Sequence, residues 1–253
     1  LRSLGGFVFG TTRSSIRRNH ALIAPDSHVQ SPLPGWNSAK GILLITPAMG
    51  ARFTQYLALL DPGATSALAP ASIQRFVFVL AGTLLVHSDD QAHTLQPGGY
   101  AYFPPDHDHA LVAETPARIL VFEKPYASLP DHAPPAALIG QEAALPAAPF
   151  LGDPDAQLKY LLPSSPAWDM EMNLFTFNPG ACLPLVETHV MEHGLIFLQG
   201  GGIYRLDEHW YPVQQGDVIW MGPFCPQWFA AVGKTPARYL YYKDVNREPW
   251  GRA

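Results

Sequence analysis

The feature of this chain that most limits its fold is that one stretch of sequence is written twice. Asp61-Pro62-Gly63-Ala64 returns as Asn178-Pro179-Gly180-Ala181, Pro97-Gly98-Gly99-Tyr100 as Gln215-Gly216-Asp217-Val218, and Thr115-Pro116-Ala117-Arg118 as Thr235-Pro236-Ala237-Arg238. The offset between copies is 117, 118 and 120 residues at these three points, so few residues were gained or lost between them. A repeat of this length is a folded unit used twice. Each copy carries a turn, an apolar run that reaches a glycine (QRFVFVLAGTLLV at 74–86, EHGLIFLQGGGIYRL at 192–206), a second turn, and a closing apolar run after Thr-Pro-Ala-Arg. With 26 prolines, 21 glycines and only 15% charged residues among 253, the units are not helical bundles. Helices need charged outer faces and exclude proline from their interiors, whereas short strands use Gly and Pro at their turns. The expected fold is all-β: two tandem barrels, at 1–145 with an N-terminal arm and at 146–253. The Ala- and Pro-rich stretch 131–165 reads as a wrapping linker without folded elements, apart from a short helical tendency at 135–144.

Composition closes off several roles. A formal charge of −5 gives no electrostatic footprint for a nucleic-acid backbone. Arg13, Arg17 and Arg18 cluster near the start, as a solvated or oligomer-contacting arm would. No apolar run reaches the ~18 residues that cross a bilayer, and the first residues lack a secretory h-region, so a cytoplasmic protein acting on a metabolite is expected. Two cysteines, Cys182 and Cys225, make no disulfide framework and are expected as small buried residues.

In duplicated units a shared scaffold cancels, and chemistry stands out as what one copy alone possesses. The second copy reads Glu187-Thr188-His189-Val190-Met191-Glu192-His193 ahead of its apolar run. Read as a strand, with side chains alternating between faces, Glu187, His189 and His193 point into one barrel and Glu192 to the opposite side. At the matching first-copy positions stand Ala69, Ala71 and Arg75, so no metal set survives there. Gln227 occupies the slot that His109 holds in the first copy. Two imidazoles, a carboxylate and an amide oxygen suit a borderline-hard divalent ion such as Mn²⁺, Fe²⁺ or Ni²⁺. The same residues formally match H-x-x-E-H, an inverted zinc-protease pattern, but that motif requires a helix and these residues lead into a strand-like run. His107 and His109 lack partner ligands and are expected to be structural; Trp220 and Trp228 are expected to wall the second barrel.

These blocks resemble the two cupin motifs, and their doubling resembles a bicupin. The outer ligand types are exchanged relative to the usual pattern, with Glu187 first, His193 third and Gln227 in place of the last histidine. Together with WDMEMNLFTFNPGA (168–181), ETHVMEHG (187–194), YLYYKDVNR (239–247) and the opening block 12–36, this is similar to the (S)-ureidoglycine aminohydrolase family. The resemblance implies two jelly-roll barrels, the first metal-free, and Mn²⁺ held in the second by Glu187, His189, His193 and Gln227. It implies substrate contacts from Tyr204, Tyr239 and Lys243, with Lys243 and Glu187 as the catalytic groups. It also implies a small ureido acid as substrate, hydrolytic release of ammonia from an aminal carbon, and a homo-oligomer. Tyr241 shares the parity of Tyr239 and Lys243 and is expected to face the same cavity. Two other readings stand beside this one: a cupin dioxygenase or decarboxylase, which usually needs three histidines, and a non-enzymatic small-molecule-binding cupin.

Overall fold

The computed structural model describes residues 10–247. The reading of the extreme N-terminus as free of a leader lies outside them. Two β-barrels follow one another. The first is a ten-stranded sheet drawn from 31–141; the second combines an eight-stranded sheet with a three-stranded sheet of Gly201–Leu206, His209–Gln214 and Gln227–Ala231. The all-β tandem-barrel fold agrees with the sequence.

Alternation along the strands decides what each barrel buries. On Ile73–Ala81, Val77 and Val79 enter the interior of the first barrel, while Phe76 and Phe78 enter a core shared with the second. The corresponding strand pair in the second barrel behaves the same way. Tyr239 and Tyr241 of Ala237–Asp244 line that barrel's interior, and Leu240 and Tyr242 join the shared core. A strand covered on both faces reads as a continuous apolar run, which is why these segments look so hydrophobic. The shared core brings together Phe53, Phe76 and Phe122 of one barrel with Met172, Trp220 and Tyr242 of the other. Trp220 therefore packs between the barrels, and it does not wall the second barrel's interior. Trp228, half-buried, hydrogen-bonds the Leu183 carbonyl through Nε1 at 2.7 Å.

Two segments differ from the sequence expectation. The stretch read as an unstructured linker holds three strands: Leu138–Gln141 pairs with Gly99–Phe103 of the first barrel, and Ala148–Phe150 pairs with Asp153–Tyr160, which extends the second barrel's sheet at Met170–Phe177. Residues 142–144 form one 3₁₀ turn. Leu138–Gln141 and Ala148–Phe150 lie at the edges of their sheets, where proline is tolerated, and Asp153–Tyr160 is second from an edge, so their composition conceals them. The N-terminal arm crosses over: His20–Ile23 pairs with Val218–Met221 of the second barrel. Arg13 anchors it there through a two-pronged ion pair to the buried Asp217, at 2.6 and 2.7 Å. Arg13 thus tethers the arm while staying partly exposed, and Arg17 and Arg18 are exposed as expected. Among the described residues no helix is long and apolar enough to cross a membrane.

Candidate metal and substrate site

The second barrel's cavity, of about 250 Å³, gathers the residues singled out from the sequence. Glu187, His189, His193, Gln227, Tyr204, Tyr239, Tyr241 and Lys243 all line it. They arrive from separate elements: His193 opens the strand His193–Gln199, Lys243 ends Ala237–Asp244, and Gln227 opens Gln227–Ala231. The expectation of a strand over 187–193 holds only in part. Glu187 makes a single bridge to Gln227, and His189 sits on a loop before the strand begins at His193. That loop is nonetheless fixed, because the His189 carbonyl accepts from the Phe224 amide at 2.7 Å. Glu192 points out of the barrel and is fully buried against its neighbour.

The imidazole hydrogen bonds define the chemistry. Nδ1 of His189 faces the Met191 carbonyl at 3.0 Å, and Nδ1 of His193 faces the Tyr242 carbonyl at 3.1 Å. Carbonyl oxygens only accept, so both Nδ1 atoms carry the proton and both Nε2 atoms are bare. These two bare nitrogens lie 3.3 Å apart, lone pair toward lone pair. About 3 Å is also the separation of neighbouring ligands that each sit ~2.1 Å from one octahedral ion. Gln227 Nε2 is 3.0 Å from His189 Nε2, while its Oε1 accepts from the Tyr204 hydroxyl at 3.4 Å. A metal takes the amide oxygen, so loading requires that amide to turn over. Glu187 stands further back, with its Oε2 3.9 Å from His189 Nε2. Among the described residues no group of three or more His, Cys, Asp or Glu side chains is drawn close enough to hold an ion by itself. The close donors are two histidines and an amide, and this N/O set fits a borderline-hard divalent ion once the carboxylate closes.

Burial tunes every titratable group here. Desolvation pulls His193 down to about 3, with His189 and Lys243 adding to the effect, and it lowers His189 as well. Both imidazoles are thus neutral at physiological pH. Desolvation raises the Glu187 carboxyl while the Lys243 charge opposes it. Burial also raises the Tyr204, Tyr239 and Tyr241 phenols, which stay protonated donors.

Glu171 and Asn173 are missing from the sequence reading. Lys243 Nζ lies 4.0 Å from Glu171 Oε2, and Asn173 Nδ2 donates to Glu171 Oε2 and to the Tyr241 hydroxyl at 3.1 and 3.2 Å. The signal was present: in the otherwise apolar Met170–Phe177, Glu171 and Asn173 sit two apart, opposite Lys243 and Tyr241 in register. Among the described residues the first barrel brings no equivalent donors together. Arg75 fills the His193 position, buried, with Nε 2.7 Å from Glu123 and Nη1 3.1 Å from His109 Nε2. A fixed guanidinium stands where the second barrel leaves a pair of bare imidazoles. His107 bonds Ser88 at 2.8 Å, and His109 stacks on Phe103 with ring centroids 3.8 Å apart, so both histidines are structural. Cys225 is buried, Cys182 half-buried, and both are free.

Two fused barrels of antiparallel strands, one with an interior donor set and one without, define a two-domain cupin. The family model for the cupin domain matches residues 56–123 and 173–242. The chain is 45% identical over 250 residues to the (S)-ureidoglycine aminohydrolase of Arabidopsis thaliana, covering 98% of this chain and 82% of that protein. It is 34% identical over 236 residues to the (S)-ureidoglycine aminohydrolase of Escherichia coli strain K12, covering 91% and 90%. A solved structure described as a putative glyoxylate induced protein from Pseudomonas aeruginosa superposes with a TM-score of 0.88 at 31% identity, covering 96% of this chain and 94% of that one. The chain belongs to the (S)-ureidoglycine aminohydrolase family.

Proposed function

We propose that this chain hydrolyses (S)-ureidoglycine to (S)-ureidoglycolate and ammonia in the cavity of its second barrel, with Mn²⁺ as the resident ion. The observation that carries the reading is the pair of bare imidazole nitrogens beside a lysine ammonium in one closed barrel, in a chain 34–45% identical to proteins named for this activity. His189, His193, Gln227 through its oxygen, and Glu187 would hold the ion, which supplies Lewis acidity and a template for a substrate carrying a carboxylate and an amine.

The remaining work belongs to the chain's own side chains. Ureidoglycine bears a carboxylate, a ureido group and an amine on one carbon. Hydrolysis breaks the bond from that carbon to the amine, forms one to a water oxygen, and moves a proton from that water to the departing nitrogen. Lys243 Nζ brings positive charge to the substrate carboxylate or a proton to the leaving amine, and Glu171 and Asn173 hold it toward the cavity. Glu187, its carboxyl raised by burial, is placed to accept the proton of the attacking water. The protonated hydroxyls of Tyr204 and Tyr239 offer donors to the ureido carbonyl. Phe175, Leu195 and Met221 keep bulk water out.

The test is direct. Purified chain with Mn²⁺ is mixed with ureidoglycine generated in situ from allantoate by the preceding enzyme, and ammonia and the chirality of ureidoglycolate are followed. Stereospecific release well above the spontaneous rate is expected; release at that rate overturns the reading. Self-association is part of the same reading, supported by exposed Leu185, Val186 and Phe224, and sedimentation velocity measures it.

A further inference from the structure

The metal-free first barrel faces the second across their shared core, and one of its side chains reaches the two strands that carry the site. Arg52, just before the strand Thr54–Thr65, meets Glu192 and Asp244. Its backbone amide donates to Glu192 Oε1 at 2.9 Å, its Nε lies 3.4 Å from the same oxygen, and its Nη2 pairs with Asp244 Oδ2. Trp220 Nε1 donates to the other Glu192 oxygen at 3.3 Å, and the Glu192 amide donates to Asp244 Oδ1 at 2.6 Å. Glu192 is adjacent to His193 and Asp244 is adjacent to Lys243. Neighbouring strand residues face opposite sides, so the outward clamp and the inward site share two peptide units. Those strands pair at His193 and Lys243.

The same clamp recurs across the repeat with its charges inverted. Asp169, 117 positions after Arg52, reaches back from the second barrel to Gln74 and Lys124 of the first. Gln74 and Lys124 are the counterparts of Glu192 and Asp244, and Tyr102, in the position of Trp220, donates to Gln74. The Arg52 side chain is half exposed where Asp169 is fully buried, and it is the Arg52 clamp that lies behind the cavity with the candidate donor set.

We propose that Arg52 is a positioning residue for the second-barrel site: the first barrel, without chemistry of its own, sets the spacing of His193 and Lys243 by neutralising Glu192 and Asp244. Without the guanidinium, two carboxylates joined through one peptide are left together between the barrels, and the strand ends separate to relieve them.

The inference rests on the second barrel being the place of turnover. The experiment compares Arg52→Met, Arg52→Lys and, as the mirror-image control, Lys124→Met, reading kcat and KM, melting temperature, and calorimetric binding of Mn²⁺ alone. Arg52→Met is expected to lower kcat roughly ten- to a hundredfold and to weaken Mn²⁺ binding, since small misplacements of reacting groups cost this much. Arg52→Lys should fall between it and the parent, and Lys124→Met should lose melting temperature while keeping parental kcat. If Arg52→Met does not fold, Arg52→Lys decides, through a lower kcat at the parental melting temperature. Parental kcat and Mn²⁺ affinity in the Arg52 variants, with melting losses matching Lys124→Met, would make the clamp a structural brace and overturn the proposal. An inactive parent sinks the function reading instead, and Mn²⁺ binding by the variants still judges the clamp; a parent that neither turns over nor binds Mn²⁺ sinks both.

Discussion

At the scale of single residues, the proposed function separates ion holding from substrate handling in the second barrel. His189 and His193 present bare nitrogens, so replacing either by alanine should abolish stoichiometric Mn²⁺ by metal analysis while far-ultraviolet circular dichroism stays unchanged. Lys243 stands beside that pair, opposite His193 on the neighbouring strand, and Lys243→Met should keep the metal and lose turnover by at least a hundredfold, the usual scale for a proton-transfer group; a variant at the parental rate excludes the role given to it. In the first barrel, His109 tests burial without metal. Desolvation holds it down to about 4, from an ordinary 6.5. Between those values the unfolded chain takes up a proton that the folded chain refuses, so stability is complete above about pH 6.5 and declines as pH falls toward 4. His109→Gln keeps an acceptor for Arg75, as Gln227 would in that slot, and removes the titration. Urea unfolding at pH 7 and pH 5 should then differ by about 2 kcal/mol less than in the parent.

At the scale of elements, the repeated signals of the sequence turn out to touch one another. Gly82 and Gly200 each end an apolar run and adopt φ of +81° and +65°. A Cβ at Gly82 would stand 2.2 Å from the Pro116 carbonyl oxygen, and one at Gly200 would stand 2.5 Å from that of Pro236. The glycine and the Thr-Pro-Ala-Arg motif are therefore two halves of one close backbone approach, present in both barrels. Gly200→Ala combines a disfavoured backbone conformation with a clash against main chain, which cannot swing aside. It should lower stability by about 2–3 kcal/mol in chemical denaturation, and a loss under 0.5 kcal/mol would contradict this account.

For the whole molecule, the barrels behave as one folded body because their facing sheets share a core. Phe53 is 1% exposed and packs on Phe122 and Tyr242, with ring centroids 6.2 and 4.3 Å away. Gly194 is bare because Phe53 fills its space: an added Cβ would meet the ring at 2.4 Å. Phe53→Ala should therefore cost about 3–5 kcal/mol, and the barrels should still melt in one transition by calorimetry. The N-terminal arm adds to this union, since the chain leaves one barrel's neighbourhood to complete the other's sheet.

The sequence by itself determined the all-β class and the two copies, and it singled out side chains that the fold gathers around one cavity. Repeat spacing and side-chain parity act over short distances, and the comparison of copies shows that Ala69, Ala71 and Arg75 stand where the second copy has Glu187, His189 and His193. Parity even placed Glu192 outside the barrel. Other features depend on what lies opposite in space, which no local pattern carries. The strands at 138–160 are hidden by Ala and Pro, and the destination of the N-terminal arm rests on Arg13 meeting Asp217, 204 residues away. Trp220 belongs between the barrels because Glu192 and a second sheet await it there. Glu171 and Asn173 gain meaning only through register with Lys243 and Tyr241. Strand pairing and the packing of sheet on sheet decide these, because both are set by contacts between residues far apart in the chain.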